Sequence, residues 1–324
     1  MNHIKDQIHC ERAYRMGLSG KGIGVAVLDT GIFLHRDFDS RVTGFADMVN
    51  RRNFAYDDCG HGTHICGIIG GSGRMSGGRY SGIAPGCNLI MVKVLDRKGN
   101  GYSSDVLAGI SWVLERKEQL GIRILNISVG ACSKRGMSEN SALVKGVNRA
   151  WDAGLVVVVA AGNNGPRTMS ITTPGISRKV ITVGCSDDDR EVLVGGNRMV
   201  DYSGRGPTAA CICKPDLVAP GCSVVSCSSR ADKYTIKSGT SMSTPIVSGA
   251  VALLLERFPD MSNKDVKLRL RESSVDIGLP RNSRDGDCWM WGKCLRDKDS
   301  KRKHIEMLLR VCYIVYKEVS PIDG

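Results

Sequence analysis

Three short stretches hold a carboxylate, an imidazole and a hydroxyl in glycine-rich settings: VAVLDTGI around Asp29, GHGTHICG around His61 and SGTSMSTP around Ser241. A serine hydroxyl holds its proton too tightly to attack a carbonyl at neutral pH. It becomes a nucleophile when a positioned imidazole takes that proton and a carboxylate fixes the imidazole's tautomer. Each stretch supplies one of these roles. Taken singly, each has an ordinary structural explanation, since Asp-Thr-Gly often holds a strand-end turn. Their joint occurrence, in the order Asp, His, Ser, points to acyl transfer through an activated serine.

Such chemistry needs a rigid frame. Residues 23–28 are a β-branched apolar run between glycines, which predicts a buried parallel strand with Asp29 at its carboxyl end. That is where α/β sheets place functional groups. His61 precedes a small-residue segment, 64–70, that reads as a helix starting beside it. Strands are predicted over 89–95, 122–127 and 155–161, and helices over 103–120 and 138–153. The alternation implies a three-layer α/β/α architecture with a mainly parallel central sheet. Over 240–258, Ile246, Val247, Ala250, Leu253 and Leu254 recur at helical period, so Ser241 stands at the start of a long buried helix. Pro245 is tolerated in a first turn, and the free amides there favour negative charge beside the hydroxyl.

At 324 residues the chain reads as an N-terminal segment (1–22), one catalytic domain (23–280) and a charged, irregular tail (281–324). The net charge of +12 comes from scattered residues without an aromatic-interleaved basic stripe, which argues against nucleic acid as a partner. The longest apolar run, 155–161, falls far short of the about 20 residues that span a bilayer, so no membrane partner is expected. Thirteen cysteines, an odd number without a framework spacing, read as reduced thiols in a cytoplasm. The N-terminus has no apolar signal core. Cys211 and Cys213 form a C-x-C pair followed by Cys222 and Cys227, but paired C-x-x-C spacing is missing and no metal ligands are assigned. Cys66 reads as a small buried hydrophobe or as a thiol whose modification blocks the site.

With VVVVAAGNNG and KPDLVAPG in order and spacing, the motifs make the chain resemble the subtilisin-like serine proteases, the subtilases, over roughly 17–274. The resemblance implies serine endopeptidase action on polypeptides. It makes Asp29, His61 and Ser241 the catalytic residues, with His61 rather than His64 as base and His64 structural. Asn163, rather than Asn164, matches the family's oxyanion donor. Ser128, Val129 and Gly130 match one peptide-binding edge, and Gly99, Asn100 and Gly101 the other. Ala160, Ala161 and Gly162, with the region near Thr172, match the walls of a specificity pocket, whose lack of charge implies an apolar preference. No cofactor is required. Secreted members carry a calcium loop, but the matching GSGRMSGGRY holds two arginines and no carboxylate, and Asp37 and Asp39 alone do not restore the site. The short segment before Asp29 leaves no room for a signal and propeptide, which resembles the intracellular bacterial branch.

A catalytically silent scaffold or signalling module on the same fold is the alternative, and an esterase or ligase on the same triad a third. Residues 1–6 or the tail are expected to restrain activity. Residues 306–316 read as a short amphipathic helix.

Overall fold

A computed structural model describes residues 1–130, 139–276 and 313–314. Two short helices, α1 (Asn2–Gln7) and α2 (Glu11–Arg15), precede the first strand, β1 (Gly24–Asp29). Then follow β2 (Val42–Asp47), α3 (His61–Gly70), β3 (Asn88–Lys93), α4 (Ser103–Arg116), β4 (Ile122–Ile127), α5 (Ala142–Asp152) and β5 (Val156–Ala160). The remainder comprises β6 (Ile181–Cys185), the hairpin β7 (Val192–Val194) and β8 (Asn197–Met199), β9 (Leu217–Ala219), and the hairpin β10 (Val224–Cys227) and β11 (Tyr234–Lys237). Helices α6 (Thr240–Arg257) and α7 (Asn263–Glu272) come next, before the two-residue strands β12 (Val275–Asp276) and β13 (Tyr313–Ile314).

The central sheet has the order β12-β13-β9-β6-β5-β4-β1-β3-β2, and its pairs from β9 to β2 are all parallel. Strands β1 and β5 are buried along their whole length, as the continuous apolar runs require of strands covered on both faces. Successive β3 side chains show the two layers. Met91 lies against Gly62 of α3 on one face, and Val92 against Gly109 of α4 on the other. Helix α6 is buried on every side from Met242 to Leu255, so it serves as the core of its layer rather than as an amphipathic cover. Among the described residues no helix is long and apolar enough to cross a membrane.

Several boundaries move for local reasons. Helix α3 begins at His61 itself, and β1 runs through Asp29. Helix α4 stops at Arg116, four residues short of the predicted end, because 117–121 tighten into a turn that delivers the chain to β4. Helix α5 starts at Ala142, where the Ser141 hydroxyl accepts the Val144 amide at 3.3 Å; residues 131–138, including the predicted start, lie outside the described residues. The predicted tail helix over 306–316 lies outside them too, apart from Tyr313–Ile314. These two pair as a strand with β12 and β9.

The N-terminal segment docks on the core through Ile4, Ile8, Cys10 and Ala13, all buried. The Tyr14 hydroxyl donates to the Ile83 carbonyl at 2.8 Å, and Glu256 accepts the Ser19 and Gly20 amides at 2.7 and 2.6 Å. Glu256 lies near the far end of α6, about 22 Å from Ser241 at about 1.5 Å rise per residue. Ser19 and Gly20 are thereby tied to the end of α6 away from Ser241, and within α1 Lys5 contacts the Ser81 hydroxyl.

Candidate active site

Asp29 ends a central strand, is fully buried, and receives His61 Nδ1 at 2.8 Å on Oδ1 and 2.9 Å on Oδ2. Its Oδ1 also accepts the Thr30 amide at 2.7 Å. Because a carboxylate only accepts, the proton on His61 is held on Nδ1 and Nε2 is left as the basic nitrogen.

Register brings the third residue to the same place. Leu28 pairs with Ile127, so Asp29 and Ser128 stand level at the carboxyl ends of adjacent strands. The Ser241 hydroxyl donates to the Ser128 carbonyl at 2.7 Å. The structure thus shows the Asp29–His61 pair formed and the Ser241 hydroxyl turned onto Ser128 rather than onto His61. Catalytic hydrogen bonds commonly tighten only when substrate is present. Ser241 is the second residue of α6, entered through Gly239 at φ +138, so its amide and hydroxyl face the positive end of an 18-residue helix.

Asn163 follows β5 on the same edge. Its side-chain oxygen accepts both the Thr240 amide and the Thr240 hydroxyl, each at 3.0 Å. An amide N–H can only donate, so this contact sets which way Asn163 faces: the oxygen is used up and the NH2 group is free to donate beside Gly239. Thr240 was not singled out from the sequence, although its place between Gly239 and Ser241 marks it. Its hydroxyl also accepts the Gly162 amide at 3.2 Å, tying the Asn163 loop to the serine helix.

Asp57 was missed as well. Its Oδ1 accepts the Thr30 hydroxyl (2.9 Å) and the Cys59 and Gly60 amides (3.1 and 2.8 Å), while Oδ2 accepts the amide and hydroxyl of Thr63 (2.9 and 2.6 Å). One carboxylate thus satisfies the first turn of α3 and clamps it to the Asp29 turn. The available signal was an aspartate just ahead of Gly-His-Gly-Thr. Close approach explains the glycines: a Cβ on Gly31, at φ +122, would lie 2.1 Å from the Tyr56 carbonyl oxygen, and one on Gly62 2.2 Å from that of Gly31. Lys93, fully buried, donates to the Thr30 and Leu95 carbonyls and to Asp58 at 2.6, 2.7 and 2.7 Å.

His64 points away from the site. Its Nε2 donates to the Val224 and Thr235 carbonyls at 3.1 and 3.2 Å, while Nδ1 is buried without a partner. Burial, with the Lys237 and His61 charges adding to it, pushes its pKa down to about 3, so it is a neutral structural residue.

Ser128 is buried, Val129 partly buried and Gly130 exposed, with Thr172 filling the space over Gly130 and Gly162. Ala160 and Ala161 are buried, and Ala161 O accepts the Thr172 amide at 2.9 Å. Gly99, Asn100 and Gly101 form an exposed turn after β3, in which Asn100 has both backbone groups bonded to Asp96. Cys66 is fully buried in α3, and burial raises its thiol well above the ordinary value, so it packs as a small hydrophobe. Cys211, Cys213, Cys222 and Cys227 are not gathered together: Cys222 lies with Cys185, and Cys227 with His35.

The calcium loop implied by the resemblance does not fit the ion. Asp37 Oδ1 is bonded to the Met75 amide at 2.9 Å and Oδ2 to the Tyr234 hydroxyl at 2.7 Å. The loop around it offers the guanidinium groups of Arg74 and Arg79, the wrong charge for a hard cation.

The Subtilase family model matches residues 20–301. Serine protease AprX of Bacillus subtilis (strain 168) is 42% identical over 285 residues, covering 82% of this chain; the chain spans 64% of that protein's length. Subtilisin DY of Bacillus licheniformis is 33% identical over 273 residues, covering 84% of this chain and 90% of that protein. Among solved structures, Sphericase superimposes with a TM-score of 0.67 at 32% identity, over 80% of this chain and 86% of that one.

Proposed function

Because the chain belongs to the subtilase family, we propose that it is a serine endopeptidase, hydrolysing peptide bonds through an acyl-enzyme intermediate. The observation that carries this reading is the convergence of three groups at one sheet edge. Asp29 holds His61 Nδ1 there, Ser241 lies on the neighbouring Ser128 carbonyl, and Asn163 turns its NH2 toward Gly239. An extended substrate whose N–H takes the Ser128 carbonyl displaces the Ser241 hydroxyl, which rotates onto His61 Nε2. His61 accepts the proton as Ser241 Oγ bonds to the substrate carbonyl carbon, and Asp29 stabilises the imidazolium. The carbonyl π electrons move onto oxygen, which Asn163 Nδ2 and the Ser241 amide receive. His61 then protonates the departing amine as the C–N bond breaks. Water repeats the sequence against the ester, releasing the acid and restoring Ser241. The cycle uses protein groups and water alone.

A fluorophosphonate tests the reading, because it labels only an activated serine. Wild-type protein should be labelled at Ser241 and cleave casein. Ser241→Ala should lose both while keeping its fold, and Asn163→Ala should lose about a hundredfold to a thousandfold in kcat. Casein hydrolysis by Ser241→Ala would overturn the assignment.

Ser128–Gly130, directly after β4, and the Ala160–Gly162 wall, with Thr172 packed over Gly130 and Gly162, support an apolar specificity pocket. Among the described residues none of the nine cysteines is in a disulfide, which supports a reducing compartment. Thiol titration of denatured protein from its host should return thirteen thiols, and a smaller number would set that compartment aside.

A further inference from the structure

Behind the oxyanion donors stands a group of side chains that the catalytic cycle does not use. Cys185 ends β6, and Cys222 follows the neighbouring strand β9, whose Ala219 pairs with Cys185. The Cys185 and Cys222 sulfurs and an Asp187 carboxylate oxygen all lie within 4.8 Å of one another. Cys185 Sγ is 3.1 Å from Asp187 Oδ1. The Tyr202 hydroxyl stands between the two sulfurs, 3.2 Å from Cys185 and 3.1 Å from Cys222. Asp187 Oδ1 is held in place by the Gly221 and Cys222 amides at 2.7 and 3.1 Å, and Cys222 Sγ lies 2.7 Å from the Asp187 carbonyl oxygen. Cys185 is buried, whereas Asp187 and Cys222 are part exposed, which leaves a way in from solvent.

We propose that Cys185, Cys222 and Asp187 form a binding site for a borderline-soft divalent cation of the zinc class, with a water beside the Tyr202 hydroxyl as fourth ligand. Two sulfurs and one carboxylate oxygen in tetrahedral reach suit a d10 ion, whereas calcium and magnesium require an oxygen shell. The two thiol protons leave to solvent as the cation enters, and no electron is transferred.

The second triplet of this kind among the described residues, His35, Asp37 and Cys227, is closed to a cation. His35 Nδ1 already accepts the Asp37 amide at 3.1 Å, its Nε2 donates to the Lys233 carbonyl at 3.1 Å, and all three residues are buried.

The site's position gives it a consequence for catalysis. A Cβ on Gly221 would lie 2.8 Å from Cys185 Sγ, 2.8 Å from the Gly239 carbonyl oxygen and 2.4 Å from Ser243 Oγ. Gly239 in turn donates to the Gly221 carbonyl at 3.0 Å and carries the chain into Ser241. A bound cation therefore clamps the loop under the oxyanion donors, acting as a positioning element without touching substrate.

The test uses the full chain as Ser241→Ala, so that binding is read independently of hydrolysis and self-digestion is prevented. After reduction and removal of metals, Cd2+ is titrated while the thiolate-to-cadmium charge-transfer absorption in the ultraviolet is followed. One tight equivalent should bind, displaceable by Zn2+, and zinc should raise Tm. Cys185→Ser and Cys222→Ser should each lose more than about tenfold in affinity, while Cys211→Ser, at an exposed thiol, should not change. Asp187→Asn preserves an acceptor for the Gly221 and Cys222 amides, so it should weaken the cation with an unchanged circular dichroism spectrum. Absence of the charge-transfer band, affinity unaltered in the cysteine variants, or a Cys185–Cys222 disulfide found by peptide mass would overturn the proposal.

Discussion

The two histidines of Gly-His-Gly-Thr-His differ in what surrounds them. His61 keeps 22% of its side chain exposed and has a carboxylate on one nitrogen, so the other can trade protons with a substrate. His64 is fully buried, with Nε2 held by two carbonyls. Its folded pKa, lowered to about 3 by burial, lies below the value of 6.5 it has when unfolded. The unfolded chain therefore binds this proton first as pH falls. The stabilising contribution is complete above about 6.5 and is lost progressively as pH drops toward about 3. Thermal denaturation across that range should show Tm falling with acid in the wild type. His64→Gln, which keeps a donor for the carbonyls, should show a shallower fall; an identical slope would remove His64 as a source of acid sensitivity.

At the level of elements, the site is a matter of how helix starts are fastened to strand ends. Asp57 joins the first turn of α3 to the turn after β1 through five hydrogen bonds, and Asn163 joins the loop after β5 to the first turn of α6 through two. Asp57→Ala leaves the Gly60 and Thr63 amides and the Thr30 hydroxyl without their acceptor, which should cost about 1–3 kcal/mol of stability. Since His61 is the first residue of that helix, kcat should fall while KM changes little, because the substrate edges lie on other elements. A rise in KM at constant kcat would mean that Asp57 serves substrate binding instead.

On the scale of the whole molecule, the candidate catalytic residues gather at the carboxyl end of the parallel sheet, and Ser19 and Gly20, which close the N-terminal segment, are held at the far end of α6. Ile4, Ile8 and Ala13 join the main core, and Glu256 anchors the backbone at Ser19 and Gly20. Deleting residues 1–7 exposes this apolar surface and should lower Tm, while kcat/KM on a short peptide stays within about twofold of wild type at temperatures well below Tm, since truncation reaches nothing at the site. An increase in activity on deletion would instead mark the segment as a restraint. The tail from 281, the other expected restraint, lies outside the described residues apart from Tyr313–Ile314.

Much of this was legible in the residue order. Asp29, His61, Ser241 and Asn163 announce themselves through local composition, because tight glycine turns and a helix start beside a nucleophile are local requirements. The strands and helices around them follow from runs and periods that extend over a single element. What only the tertiary structure decided are the pairings between distant segments. The partner of Asp57, the orientation of the Asn163 amide and the convergence of Cys185, Asp187 and Cys222 each depend on which strands become neighbours and in what register. The helix over 103–120 ends early for a local reason, the turn at 117–121, whereas the docking of the N-terminal segment is set by the surface it meets, and that surface is assembled from the whole chain.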